Sequence, residues 1–214
     1  MQILGPDEGA LPALQDTPIF ERLLFESPTL LIAVMAIGAI IALFAAAKST
    51  KRKPPAIAAL VMLVLAVGTY FTADKVTTDR EVITQQAAIL IAAIAESDEQ
   101  AMRSTMAQKV RLGHTDNASS VATRVPSLQG LDQIVAAVIK QLGEQGSDRR
   151  LVGSHKVLET RAGMDNENTG RTLIRVRVRG PSDSYLSHSW WEVTWKRFDD
   201  QWQATRVEAI WIQG

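Results

Sequence analysis

Two uncharged apolar runs lie close together in the first third of the chain, and they constrain every other reading. The first, 28–47, reads PTLLIAVMAIGAIIALFAAA; the second, 54–73, reads PPAIAALVMLVLAVGTYFTA. At about 1.5 Å per helical residue, each reaches across a hydrocarbon layer of about 30 Å. Two such runs separated by the six-residue segment KSTKRK do not suit the buried core of a soluble protein. The first is not a cleaved signal peptide either: it lacks a basic leader, follows an acidic flank and is too long. The sequence therefore predicts a membrane hairpin over 28–73, with spans at about 28–47 and 54–73 and a basic loop at 48–53.

Charge orients that hairpin. The chain has 214 residues with 23 basic and 23 acidic side chains, but they are unevenly distributed. Residues 1–27 hold five acids against one base, 48–53 hold four bases and no acid, and 74–214 hold 18 of each. Positive loops remain in the cytoplasm, so both termini are expected outside it. Neither span carries an ionisable group, which removes the usual mark of a transport path. The lipid bilayer is thus the first expected partner, and the Ala-rich hairpin suggests a bacterial cytoplasmic membrane with a periplasmic domain. Zero net charge argues against nucleic acid as a partner. The absence of cysteine excludes disulfides and thiolate chemistry.

Residues 1–27 form an acidic N-terminal tail. Gly5, Pro6, Gly9 and Pro12 point to a flexible segment over 1–17. Ile19, Phe20, Leu23 and Leu24 fit either an interfacial helix or the frayed start of the first span.

The rest, 74–214, is expected to be an α+β domain. Thr78 and Glu81 have capping-box spacing and open a helix to about Met106, with Ile83, Ala87, Leu90, Ile94 and Ala101 on one stripe. A short strand carries Val110, Leu112 and His114. A second helix from Leu131 to about Leu142 follows Gly130. The hydrophobic period then changes from 3.6 to 2 through strands near 151–161, 172–179, 186–198 and 202–212. An antiparallel meander of this kind has one apolar face, which the preceding helices can cover.

This order resembles the nuclear-transport-factor-2-like superfamily, which includes the SnoaL-like proteins. The resemblance rests on Ala95-Glu-Ser-Asp98, Val110-Arg-Leu and Gly130-Leu-Asp-Gln-Ile. It also rests on Trp191-Glu-Val-Thr-Trp-Lys-Arg, a two-acid turn and Gln201-Trp-Gln-Ala-Thr-Arg-Val. It implies a cone-like curved antiparallel sheet packed on two or three helices. Members include isomerases, dehydratases and cyclases as well as ligand binders and membrane-tethered assembly modules, and fold does not choose among them.

The resemblance implies that catalytic groups would project into the cone. His114 and Asp116 share a strand face and form the candidate acid/base pair of a small-molecule enzyme or binder. The plainer reading is that Asp116-Asn117 begins a turn and His114 sits near water. Trp191, Trp195 and Trp211 are assigned with Val193 and Ala209 to the concave core or to the walls of a ligand pocket. Trp190 and Trp202 have the other parity. Arg175, Arg177 and Arg179, with Trp190 and Glu192, form the candidate partner-binding face. That face suits a homodimer or an envelope protein partner, or it is simply a solvated ladder of ion pairs. His155 and His188 stand alone. No metal-ligand spacing, nucleotide motif or cofactor signature is present, so neither metal nor cofactor is expected. The leading expectation is a non-catalytic, membrane-anchored scaffold or partner-binding module outside the cytoplasm.

Overall fold

The structure is a computed structural model that describes residues 6, 11–15, 28–48, 53–73, 78–142, 152–181 and 184–213. The segment proposed as an interfacial helix and most of the basic loop lie outside the described residues. The chain divides into two compact units, one of residues 17–78 and one that joins residues 1–16 to 79–214.

The first unit contains helices α1 (Pro28–Lys48) and α2 (Lys53–Ala73). They pack through small residues: Ala39 and Ala59 are buried, and a Cβ on Gly38 would lie 2.8 Å from Met62 Sδ. Small residues at a helix–helix contact let the two backbones approach closely. Large aliphatic side chains such as Ile37, Ile41, Leu63 and Val64 point outward. One described helix, over Leu30–Lys48, is long and apolar enough to cross a membrane; the apolar stretch Ala56–Gly68 of α2 is shorter.

The second unit is an α+β domain. Helix α3 (Asp79–Glu96) begins directly after Thr78, as the capping-box spacing expects. It ends earlier than the expected Met106. Ser97 takes a left-handed conformation (φ 58°), and Asp98 then caps a new helix, α4 (Glu99–Thr105), by accepting from the Ala101 amide at 3.0 Å. A side-chain acceptor at the N-cap competes with helix continuation, and one expected helix becomes two. Strand β1 (Met106–His114), a 3-10 turn at Ala122–Arg124, the two-residue β2 (Leu128–Gln129) and α5 (Leu131–Leu142) follow. Four long strands complete the domain: β3 (Ser154–Asn166), β4 (Thr169–Arg179), β5 (Leu186–Phe198) and β6 (Gln201–Ile212).

The sheet order is β2-β1-β6-β5-β4-β3, and β1 runs parallel to β6. The expected antiparallel sheet is therefore mixed. The successive hairpins of β3 to β6 require antiparallel pairing, but β1 joins from far away in sequence and no short turn dictates its direction. The β5–β6 hairpin turns at Asp199 and Asp200, both with positive φ, as a two-residue turn matching strand twist requires.

Helices α3, α4 and α5 cover one sheet face with Ile83, Leu90, Met102, Leu131, Ile134 and Val135. Beneath them lies Trp195, fully buried, whose Nε1 donates to Thr172 Oγ1 at 2.9 Å. That bond satisfies two polar groups that burial would otherwise penalise.

Two bulges correct the tryptophan assignment. Ala204 pairs with Trp195 but Arg206 with Thr194, so Thr205 is the extra residue, and its hydroxyl donates to the Thr194 carbonyl at 3.1 Å. Ala209 pairs with Trp191 but Trp211 with Trp190, so Ile210 is a second. Each bulge moves every later side chain to the other face. Trp202 therefore lies in the helix-covered core, and Trp211 joins Trp190 on the opposite face.

Candidate functional site

The face of the sheet away from the helices holds the site. Leu173 from β4, Trp190 from β5 and Ile210 from β6 form a buried apolar floor, flanked by half-buried Trp211. Leu11 and Leu14 pack onto this floor. Residues 11–15, read from composition as part of a flexible tail, thus form a clasp on the sheet. Arg171 Nη2 donates to the Ala13 carbonyl at 3.2 Å and Arg80 Nη2 to the Gln15 carbonyl at 2.9 Å. The backbone passes so close to β3 that a Cβ on Gly163 would lie 2.9 Å from Leu14 Cβ and 3.2 Å from the backbone N and O of Gln15. Only glycine leaves that space.

Arg171 links the clasp to the sheet. Its Nε and Nη2 each donate to Asp165 at 2.9 Å, and its Nη1 donates to Glu192 at 3.2 Å. These bonds, Asp165 first, raise the guanidinium pKa against the opposing effect of burial.

Beyond the floor, a cavity of about 740 Å³ is bounded by Leu11 and Pro12 of the clasp and by Ile210. Its charged lining comprises Arg111, Arg206, Asp116, Glu192 and Glu208. Glu192 and Glu208 face each other directly across β5 and β6, an unfavourable like-charge pairing. Arg206 stands 3.7 Å from Glu208. Partial burial is the largest influence on Glu208 and pushes its carboxyl pKa up. Arg206 opposes this, Glu192 and Asp116 reinforce it, and His114 opposes it weakly. A carboxyl that holds its proton more tightly than usual, in a cavity, can donate a hydrogen bond or accept a proton in exchange.

The structure separates several of the predicted residues. His114 ends β1, its Nδ1 3.2 Å from the Thr115 carbonyl oxygen, and borders a second cavity of about 360 Å³ with Ser127 and Gln129. Asp116 sits in the following turn and borders the larger cavity, while Glu208 borders both. Trp195 is locked in the core, Trp191 donates to Ser189 Oγ at 2.8 Å on the same face, and Trp211 lies on the other. Trp190, expected on an open contact surface, is buried beneath the clasp with the Arg161 guanidinium 5.7 Å from its ring centre. Glu192 is buried and paired with Arg171. Arg175 pairs in register with Glu159 and Trp190, Arg177 lies beside His188, and Arg179 is exposed at the strand end. His188, expected to stand alone, is buried with Nδ1 3.0 Å from Gln213 Oε1.

Sequence reasoning missed Glu208 and the clasp. The alternation of β6 places Glu208 away from the core, but only the bulge at Thr205 sets it opposite Glu192. The clasp's signal is a pair of leucines around a proline, Leu11-Pro-Ala-Leu14, within the acidic tail.

No protein-family model matches this chain, and no curated protein sequence matches it. Solved structures with a similar chain path include an NTF-2 like protein of unknown function from Shewanella oneidensis MR-1. It is 15% identical, covers 62% of this chain and 98% of its own, and has a TM-score of 0.46. An NTF2-like protein from Cytophaga hutchinsonii is 12% identical over 62% of this chain and 98% of its own, at TM-score 0.47. Another of unknown function, from Pseudomonas putida KT2440, is 13% identical over 61% and 84%, at TM-score 0.48.

Proposed function

We propose that this chain is a membrane-anchored, non-catalytic partner-binding module, with a nuclear-transport-factor-2-like domain held outside a bacterial cytoplasmic membrane by two crossing helices. The observation that carries this reading is the clasp. Residues 11–15 precede both apolar helices in sequence, yet they pack on the domain that follows them. A contact between these two parts requires both to be on one side of the bilayer. The chain must then cross an even number of times. On this reading Leu30–Lys48, the one described helix long and apolar enough to cross, makes the first crossing and α2 makes the return, with Lys48, Lys51, Arg52 and Lys53 favouring a cytoplasmic loop. The core packed around Trp195 and the separation of His114 from Asp116 between two cavities favour binding over catalysis by that pair.

The chain contains no cysteine, so the topology has a direct test. Single variants Asp7→Cys, Thr50→Cys and Gln213→Cys would be labelled in intact cells with a membrane-impermeant maleimide. Labelling at 7 and 213, with 50 protected until the membrane is opened, is the expected pattern. Labelling of 7 and 213 from opposite sides overturns the reading.

One observation favours a second reading, a small-molecule binder or SnoaL-like acid/base enzyme: Glu208 with its raised pKa beside Asp116 in the larger cavity. In that case Glu208→Gln would abolish a turnover while the fold is retained. Loss of a turnover on His114→Ala alone would instead restore the original catalytic assignment.

A further inference from the structure

The floor that holds the clasp has the features of a peptide-binding groove, and the clasp displays the ligand. Leu11 and Leu14 both reach the floor, while Ala13 between them is exposed. Side chains three apart on one side, with a proline between, suit an extended chain of threefold period rather than a β-strand, whose period is two. Proline fixes its own φ and holds Leu11 extended, so such a segment loses little freedom on docking. The receptor side is rigid and aromatic: Trp190 and Trp211 face each other across β5 and β6, with Leu173 and Ile210 beside them. Among the described residues, Arg171 and Arg80 each donate to a backbone carbonyl of the segment, which holds its path, while Leu11 and Leu14 meet the floor. Gly163 sets the clearance for the passing backbone.

The occupant is also lightly held. Leu11 and Leu14 are each only partly buried, the two anchoring hydrogen bonds lie at the surface, and the described residues 11–15 form no strand with the sheet. We infer that this groove is a receptor for extended aliphatic-Pro-x-aliphatic segments of a partner protein, and that residues 11–15 are its intrachain ligand, exchanged for the partner's segment on binding. This rests on the partner-binding reading above and names the partner's chemistry: two aliphatic side chains three apart around a proline, with free backbone carbonyls. It follows the recognition mode in which a preformed extended helix docks on an aromatic-lined groove.

The test uses the full chain in detergent micelles and a fluorescent synthetic peptide of residues 8–17, followed by anisotropy. The double variant Leu11→Asp/Leu14→Asp empties the groove from within and should bind the peptide at least tenfold tighter than the wild-type chain, where the clasp competes. A peptide carrying Leu14→Asp should lose at least tenfold in affinity. Adding Gly163→Val to the double variant should abolish binding, because the new side chain occupies the space of the passing backbone. A double variant with wild-type circular dichroism that does not bind the peptide overturns the inference. If the double variant aggregates, Pro12→Gly, which loosens the clasp without adding charge, must show tighter binding than wild type; equal or weaker binding overturns the inference. Because the measurement is made in detergent, its failure leaves the membrane topology untouched, and a failed topology leaves the groove untouched.

Discussion

The indole Nε1 of Trp202 donates to Oδ1 of Asp79 at 3.1 Å, joining the start of β6 to the first residue of α3 across 123 positions. The same carboxylate oxygen lies 3.1 Å from Arg197 Nη2, and the Arg197 guanidinium stands 5.5 Å from the centre of the Trp202 ring. One acid at a helix N-terminus therefore ties that helix to the β5–β6 hairpin, where a negative charge also suits the helix dipole.

Asp79→Ala should lower domain stability by about 1–3 kcal/mol, because it leaves the indole donor of a buried tryptophan unpaired. Asp79→Asn keeps an acceptor and should lose about half as much. Chemical denaturation of the detergent-solubilised chain, followed by tryptophan emission, measures both.

Trp195 and Thr172 are both fully buried and bonded to each other. Trp195→Phe should destabilise by about 1–3 kcal/mol through the orphaned Thr172 hydroxyl and a small cavity, and Trp195→Ala by about 3–5 kcal/mol. Thr172→Val in the Trp195→Phe background should recover part of the loss. Thermal denaturation of the four chains reads this as a double-mutant cycle.

Glu208 gives a pH signature. Its folded pKa is raised, chiefly by burial, so the folded state binds more protons than the unfolded state between the ordinary carboxyl pKa and the raised one. Stability must then fall as pH rises through that window, and the loss persists at neutral pH. Glu208→Gln removes the effect. The variant should be more stable than wild type at pH 7, with the advantage shrinking as pH falls through that window and gone below the ordinary carboxyl pKa. Paired urea titrations at several pH values check it, and a variant less stable at pH 7 contradicts the assignment.

The β5–β6 turn can be improved. Asp199 and Asp200 both have positive φ, which Asn-Gly adopts more readily. Asp199→Asn/Asp200→Gly should stabilise by about 0.5–1 kcal/mol. The interaction it removes, Arg197 Nε to Asp200 at 3.9 Å, involves a fully exposed carboxylate and contributes little. A higher unfolding midpoint measures the gain.

The elements themselves were legible in the residues. Apolar runs, the 3.6 period from Thr78 to about Met106 and of 131–142, and the alternation of 172–179 are local patterns, and helices and strands lie where they indicate, except that the first helix breaks into two at Ser97 and Asp98. The two-residue turn at Asp199-Asp200 was equally readable. Face assignments on β6 were not, because the bulges at Thr205 and Ile210 depend on how β6 packs against β5 and the helices. Those bulges moved Trp202 into the core, moved Trp211 out of it and set Glu208 against Glu192. The parallel pairing of β1 with β6 and the seat of Leu11 and Leu14 on Trp190 join residues far apart in the chain. Period and turn chemistry act over a few residues and are written in them. Which face a side chain takes after a bulge, and which distant segment covers an apolar floor, are decided only when the whole sheet has assembled and its exposed surface competes for a partner.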